Sequence, residues 1–247
     1  MFDDHPAPMI RYLLLGIFVG ILALPAMAQE EETFDYQSEL VWGIGKNTNS
    51  RLLGSVEVRY AKRVREDIYQ TFGLEIANVK HPQEFKQSFT NGTGFIFGKN
   101  NYLFPVRGQY GRDWIVFRKA PNQGVQINLG VAAGPTLGLQ APYYIKYLES
   151  GSREVIQQYD PSIHTLVENI EGAEGPLRGI SEASLVPGAN IQAALTFEFG
   201  SFNNRVSALE AGVMFEAYSR PIEMMPRARS IQYFPSAFIG LYYGFRN

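Results

Sequence analysis

The sequence contains no cysteine, which excludes disulfide staples and thiolate-bound metal. Histidine is scarce as well, three in 247 residues, so an imidazole-rich metal centre has few ligands to draw on. Neither sign of charge dominates. The 22 Lys and Arg are set against 24 Asp and Glu, a balance that provides no electrostatic footprint for nucleic acid. Past the N-terminus no apolar run approaches the ~18 residues that a membrane-crossing helix requires. No segment repeats at a period of roughly 20–50 residues, so solenoids and propellers are excluded.

What is present begins with a leader. Tyr12–Leu24 is an apolar run, preceded by Arg11 and followed by Pro25 and Ala26-Met27-Ala28. A basic residue, a short apolar core and a small-x-small end read as a secretory signal peptide cut after Ala28. The alternative, a retained anchor helix, would be too short to span a bilayer. Met9 offers an alternative start that leaves Asp3 and Asp4 outside the leader. The chain thus divides into a signal peptide, 1–28, and one further domain, 29–247. Removing Arg11, Asp3 and Asp4 leaves 21 basic and 22 acidic residues, a formal net charge of −1.

The clearest pattern is the last stretch, Ile231–Arg246. Ile231, Tyr233, Pro235, Ala237, Ile239, Leu241, Tyr243 and Phe245 form an unbroken apolar row, while Gln232 to Arg246 on the alternate positions are mixed. A period of two makes this a strand with two unlike faces. Its 16 residues exceed the ~9–11 tilted residues that cross a bilayer. Similar alternation runs through Phe34–Lys46, Arg51–Arg63, Asp67–Val79, Asn101–Tyr110, the stretch from Gly124 to Gly134, Ala189–Gly200 and Arg205–Tyr218. Gly111–Gln123 reads as a connector with one helical turn over Asp113–Lys119. Thr136–Glu149 reads as an extension of the fifth strand, bent at Gly134-Pro135. Lys80–Asn100 and Ser150–Gly188 read as loops, the latter without periodicity, and Ser201–Asn204 reads as a tight turn. Asn91-Gly92-Thr93 has the glycosylation acceptor pattern and is read as a turn.

The expected fold is therefore all-β: a transmembrane antiparallel up-and-down β-barrel of about eight strands, preceded by the signal peptide. A soluble periplasmic β-sandwich is the competing architecture. The predicted location is the bacterial outer membrane. Outer-membrane lipid is the expected partner, together with other envelope proteins, and no cofactor, metal or nucleic acid is expected. The inward positions carry Glu57, Arg59, Glu75, Arg107, Glu198, Glu210 and Glu216, with Arg246 beside them. They are expected to form a paired polar interior, because an unpaired buried charge is costly. A water-filled pore is the alternative use.

Candidate chemistry is confined to predicted external loops. His81 and His164 are the histidines of the processed chain. Ser88, Ser152, Ser162, Asp160 and Glu182 supply a nucleophile, an orienting acid or metal oxygens for a rim enzyme acting on lipid or peptide. The spacing of Asp160 and His164 is not diagnostic, since a triad is spatial rather than sequential. Solvated loop histidines and no catalytic residue are the expectation.

The segments PTLGLQAPYY (Pro135–Tyr144), DPSIH (Asp160–His164) and FIGLYYGFR (Phe238–Arg246) resemble, in this order, motifs of a group of outer-membrane β-barrel proteins from Bacteroidota. Gln140 stands where a basic residue is common in that group. The resemblance implies fold and location, and it implies no activity.

Overall fold

The computed structural model describes residues 36–88, 94–118, 124–149, 153–199 and 205–247, with only the backbone for 51–53. The cleavage site after Ala28, Asn91-Gly92-Thr93, Ser152 and a turn expected at Ser201–Asn204 lie outside them. In chain order the strands are β1 (Ser38–Asn47), β2 (Ser50–Arg65), β3 (Ile68–Val79), the short β4 (Lys86–Ser88) and β5 (Gly94–Ile96), β6 (Asn101–Phe117), β7 (Gln126–Pro142), β8 (Tyr144–Glu149), β9 (Arg153–Gln158), β10 (Ile170–Ala173), β11 (Ser184–Phe199), β12 (Arg205–Ile222) and β13 (Ile231–Arg246).

Eight of these close into one ring, in the order β1-β13-β12-β11-β7-β6-β3-β2. Every neighbouring pair is antiparallel, and β13 closes on β1. The register measures the closure. Along one hydrogen-bonded row, Leu40 leads to Tyr60, Phe72, Tyr110, Ala133, Ile191, Phe215 and Pro235. Leu40 itself, however, pairs with Phe245. The ladder therefore closes with a stagger of ten residues, from 235 to 245. With eight strands that stagger tilts them by roughly 40° and leaves a bore that side chains can fill.

The two faces are those of a membrane barrel. Outward residues are apolar and exposed, as at Trp42, Leu74, Val213 and Leu241. Inward residues are polar and buried, as at Glu57, Gln109, Arg107 and Glu210. A soluble sandwich would bury the first set and wet the second, so that alternative is set aside. On β13 Ile239 and Leu241 are exposed and Gly240 and Tyr242 are buried. Tyr242 needs glycine beside it. A Cβ at Gly43, across the β1–β13 pair, would sit 2.5 Å from the Tyr242 ring.

The connections divide unequally. One end, the turn end, carries Glu66-Asp67 between β2 and β3, the β6–β7 and β11–β12 connections and both termini of the ring. The other, the loop end, carries the links β1–β2, β3–β6, β7–β11 and β12–β13. There β4 and β5 form a hairpin, and β8, β9 and β10 form a separate three-stranded sheet.

Three expectations are corrected here. No connector follows Tyr110, because β6 continues to Phe117. Alternation persists there, with Arg112 and Trp114 outward and Asp113 and Ile115 inward. Opposite Asp113 stands Gly130, where a Cβ would lie 2.7 Å from the Asp113 Oδ1. The acid thus fits inside the wall, and no helical turn is needed to carry it. The fifth strand does not extend to Glu149 either. Pro135 only interrupts the β6–β7 ladder, whose pairs skip from Arg107–Thr136 to Tyr110–Ala133. The chain leaves the ring at Pro142-Tyr143, and β8 joins a different sheet. Finally, the segment 150–188 is not structureless. It supplies β9, β10 and the start of β11, and its short strands fell below the length at which periodicity shows.

Candidate functional site

The lumen holds three clusters in which one arginine grips two glutamates. At the turn end Arg246 on β13 binds Glu198 on β11 through both terminal nitrogens and Glu39 on β1 through Nε at 2.6 Å. The guanidinium carbon lies over the Tyr36 ring, 3.8 Å from its centroid, and Tyr36 stacks on Tyr69. Midway, Arg59 on β2 binds Glu210 on β12 in bidentate fashion, at 2.6 and 2.9 Å. Its Nε donates to Glu57 at 2.9 Å. The Tyr242 hydroxyl donates to Glu57, and Thr196 Oγ1 donates to Glu210. Nearer the loop end, Arg107 on β6 binds Glu216 on β12 at 3.0 and 2.9 Å, and Glu75 on β3 at 3.0 Å.

Each arginine therefore takes a glutamate two or three strands away with both prongs and one on its own or the next strand with one bond, the strong geometry for guanidinium and carboxylate. The arrangement is also required by the register. Glu57 and Glu75 are directly opposed on β2 and β3, and like charges so placed repel. Arg59 and Arg107 engage one each. Between these clusters, Gln109 pairs with Gln192, and Asn190 donates to Thr136. Two internal voids among the described residues measure about 10 and 20 Å³, room for little more than a water molecule each. At the loop end Val79, Leu103, Val186, Tyr218, Phe234 and Met224 close the bore with an apolar plug. At the turn end Tyr36, Ala61 and Tyr69 do the same.

All seven interior residues named from the sequence lie in these clusters, as does Arg246. The sequence reading missed Glu39, Asp113 and the Tyr242 hydroxyl. Glu39 is the first inward position of β1, and Asp113 lies beyond Tyr110, where the expected strand ends. Carrying the period of two through to Phe117 would have found Asp113.

The loop-end candidates are not brought together. His164 is buried, not solvated. It stacks on Tyr159 and meets the Tyr147 ring edge-on, while its Nδ1 bonds the Asp160 backbone at 3.0 Å. Asp160 instead accepts from the Ser162 hydroxyl and amide, and these bonds hold its carboxyl below the usual range. Glu182 accepts from the Tyr144 hydroxyl at 2.7 Å, which pushes that phenol above its ordinary pKa. His81 is likewise buried. Its Nδ1 accepts from the Gln83 amide and its Nε2 faces the Arg229 carbonyl at 3.2 Å. The expectation of solvated histidines is thus corrected: aromatic neighbours from β8 and the loop after β9 enclose His164. The reading also missed Lys99, fully buried, whose Nζ meets Glu84 at 2.5 Å above the Tyr102 ring. No group of three or more His, Cys, Asp or Glu able to hold a metal ion occurs among the described residues.

No protein-family model matches the chain, and no curated protein matches it significantly. Solved structures do align with it. Neisserial surface protein A aligns with a TM-score of 0.38 and 11% identity, over 85% of this chain and 96% of its own. The N-terminal β-barrel domain of Pseudomonas aeruginosa OprF gives 0.33 and 13%, over 86% and 98%. CarO2 of Acinetobacter baumannii gives 0.34 and 9%, over 85% and 98%. The architecture stated above rests on the closed register of this chain itself.

The loop end is ordered by its own core. Tyr143, Ile145, Tyr159 and Ile170 pack with Phe95 and Ile96 against Tyr102, Phe104 and Ala141. Tyr102, Phe104 and Ala141 occupy outward positions of β6 and β7. The small sheet therefore leans on the outer face of the wall, which marks where that wall rises beyond the lipid.

Proposed function

We propose that the protein is an integral outer-membrane barrel that presents an ordered loop-end platform in a structural, binding or envelope-assembly role, and that its lumen does not conduct. The observation that carries this reading is the lumen itself, packed by three ion clusters between two apolar plugs. The two longest connections, β3–β6 and β7–β11, both lie at the loop end, which follows the usual orientation of such barrels, with the turn end in the periplasm. The apolar run before Ala28 supports delivery through the inner membrane. Burial of both histidines in their own loops favours a binding or structural platform over a rim enzyme acting on lipid or peptide, which needs a base within reach of a nucleophile.

Two measurements test this. The protein should fractionate with outer membrane and migrate differently on gels before and after boiling. Reconstituted in planar bilayers it should give no discrete conductance steps. Steady single-channel currents would replace this reading with a narrow pore, and recovery in the soluble periplasm would end the membrane assignment.

A further inference from the structure

One hydrogen-bonded row on the outer wall is half polar and half apolar. It runs Lys62, Gln70, Arg112, Val131, Ala193, Val213, Ala237 across β2, β3, β6, β7, β11, β12 and β13. The members on β7 to β13 are ordinary lipid-facing residues. Those on β2, β3 and β6 are two cations flanking an amide. Lys62 and Arg112 are exposed, and neither side chain has an ion pair or hydrogen bond among the described residues. Of the acids in the nearest turn, Asp67 is held by Arg118, and Glu66 lies in the turn itself.

Because each row climbs toward the loop end as it passes around the ring, its polar half sits low, near the turn end. Arg112 is the highest of the three. On its own strand it lies between the outward Trp114 and Tyr110, inside the apolar belt. Gln70 Nε2 donates to the Tyr110 hydroxyl at 3.1 Å, which leaves that hydroxyl's proton free to donate. Above the row Tyr60 and Phe72 are exposed apolar neighbours. Neighbouring positions in such a row stand ~5 Å apart, so Lys62 and Arg112, on either side of Gln70, have backbones ~10 Å apart, a gap that their long side chains can span beside the Tyr110 hydroxyl. A planar guanidinium and a nearby ammonium suit a phosphate diester, and Trp and Tyr belong at headgroup depth.

We propose that Lys62, Gln70, Tyr110 and Arg112 form a binding site for the headgroup phosphate of an anionic glycerophospholipid in the turn-end leaflet, with its acyl chains lying on Tyr60 and Phe72. Charge complementarity selects this occupant: the patch holds two unneutralised cations and is bordered by apolar wall. The inference rests on the membrane-barrel reading above.

The chain's two tryptophans make the test local. In Trp42→Phe the remaining indole, Trp114, adjoins the patch. Trp42 pairs with Val58, two residues from Tyr60, and so borders the acyl-chain face; the control is therefore Trp42→Phe with Trp114→Phe and Val213→Trp, whose single indole lies on the exposed face of β12, across the ring. Both variants are reconstituted in phosphatidylcholine vesicles carrying a minor fraction of either brominated phosphatidylglycerol or brominated phosphatidylcholine. The anionic lipid should quench Trp114 about fivefold more effectively for each cation that binds it. The indole at position 213 should show no preference, and Lys62→Gln with Arg112→Gln should abolish the preference at Trp114. Equal quenching by the two lipids, or a preference that survives those substitutions, overturns the site while leaving the barrel intact. Relief of the preference by inorganic phosphate would overturn it in favour of a soluble anion. Absence of quenching by either lipid at both indoles would instead overturn the membrane reading. Heat-modifiable mobility of each variant verifies that it has folded.

Discussion

Arg107→Leu is the most informative perturbation of this barrel. Arg107 is 2% exposed and makes three charge-assisted hydrogen bonds, two to Glu216 and one to Glu75. Leucine fills most of its volume but leaves both carboxylates buried without a cation. Each lost bond to a charged group is worth about 1.5–3 kcal/mol. The three are not additive, because water can enter the vacated space and one carboxyl can take up a proton. Breaking a buried cluster by removing one partner costs about 3–5 kcal/mol in comparable cases, and that is the expected loss here. The register adds to it, since Glu75 would then face Glu57 directly with no cation of its own. The assay is reversible urea unfolding in phospholipid vesicles, followed by tryptophan fluorescence. Replacing the whole cluster, with Glu75→Met and Glu216→Met added, should recover most of the loss, because a buried ion group exchanged for apolar side chains of similar size is often neutral or stabilising. A change within about 0.5 kcal/mol for Arg107→Leu alone, the range of surface substitutions, would refute the reasoning. It would mean that the guanidinium is already hydrated and that the bore is open to water.

Three further outcomes are expected. Ile239→Arg, near the middle of the outward row of β13, should cost about 2–4 kcal/mol of stability in lipid; in the cysteine-free background, thiols at 239 and 241 should react with a lipid-soluble reagent and those at 240 and 242 should not, and the reverse labelling would overturn the facing of every interior residue. His164→Ala should speed amide exchange in β8 to β10, because the imidazole packs between Tyr147 and Tyr159, while the barrel's urea midpoint stays put; a shifted midpoint with unchanged loop exchange would contradict the packing described. The Asp160 carboxyl is held below its ordinary pKa by Ser162, so its support of the loop is fully present above the usual carboxylate range and is lost as pH falls through the depressed value; exchange of the Ser162 amide, corrected for intrinsic chemistry, should rise on acidification, and Asp160→Ala should remove that dependence.

Much of this molecule was legible in the chain, for a physical reason. A strand in lipid has a fixed period of two and a solvent that rejects polar groups, so the row from Ile231 to Phe245 declares its own facing. Interior residues follow from the same parity, as with Glu57, Arg107 and Glu216. Parity also located Arg246 at the end of the final strand. What alternation cannot specify is the partner across a closed ring. That Arg107 meets Glu216 rather than Glu210, and that Arg59 takes Glu210, depends on a stagger of ten residues, a property of the whole circuit and not of any strand. The loop end was illegible for another reason. Its strands of three to six residues are too short to show a period, and their core is made by contacts between distant segments, Phe95 with Tyr159 and Tyr102 with Tyr143. Composition and spacing made His164 look like a free loop residue. Only the folding of β8 and the chain after β9 around it buried the ring. The sequence by itself determined which face of each long strand meets lipid, because that choice is made residue by residue. Tertiary structure decided which charges neutralise one another and which side chains the loops enclose, because those depend on ring closure and on contacts between parts of the chain that no local pattern connects.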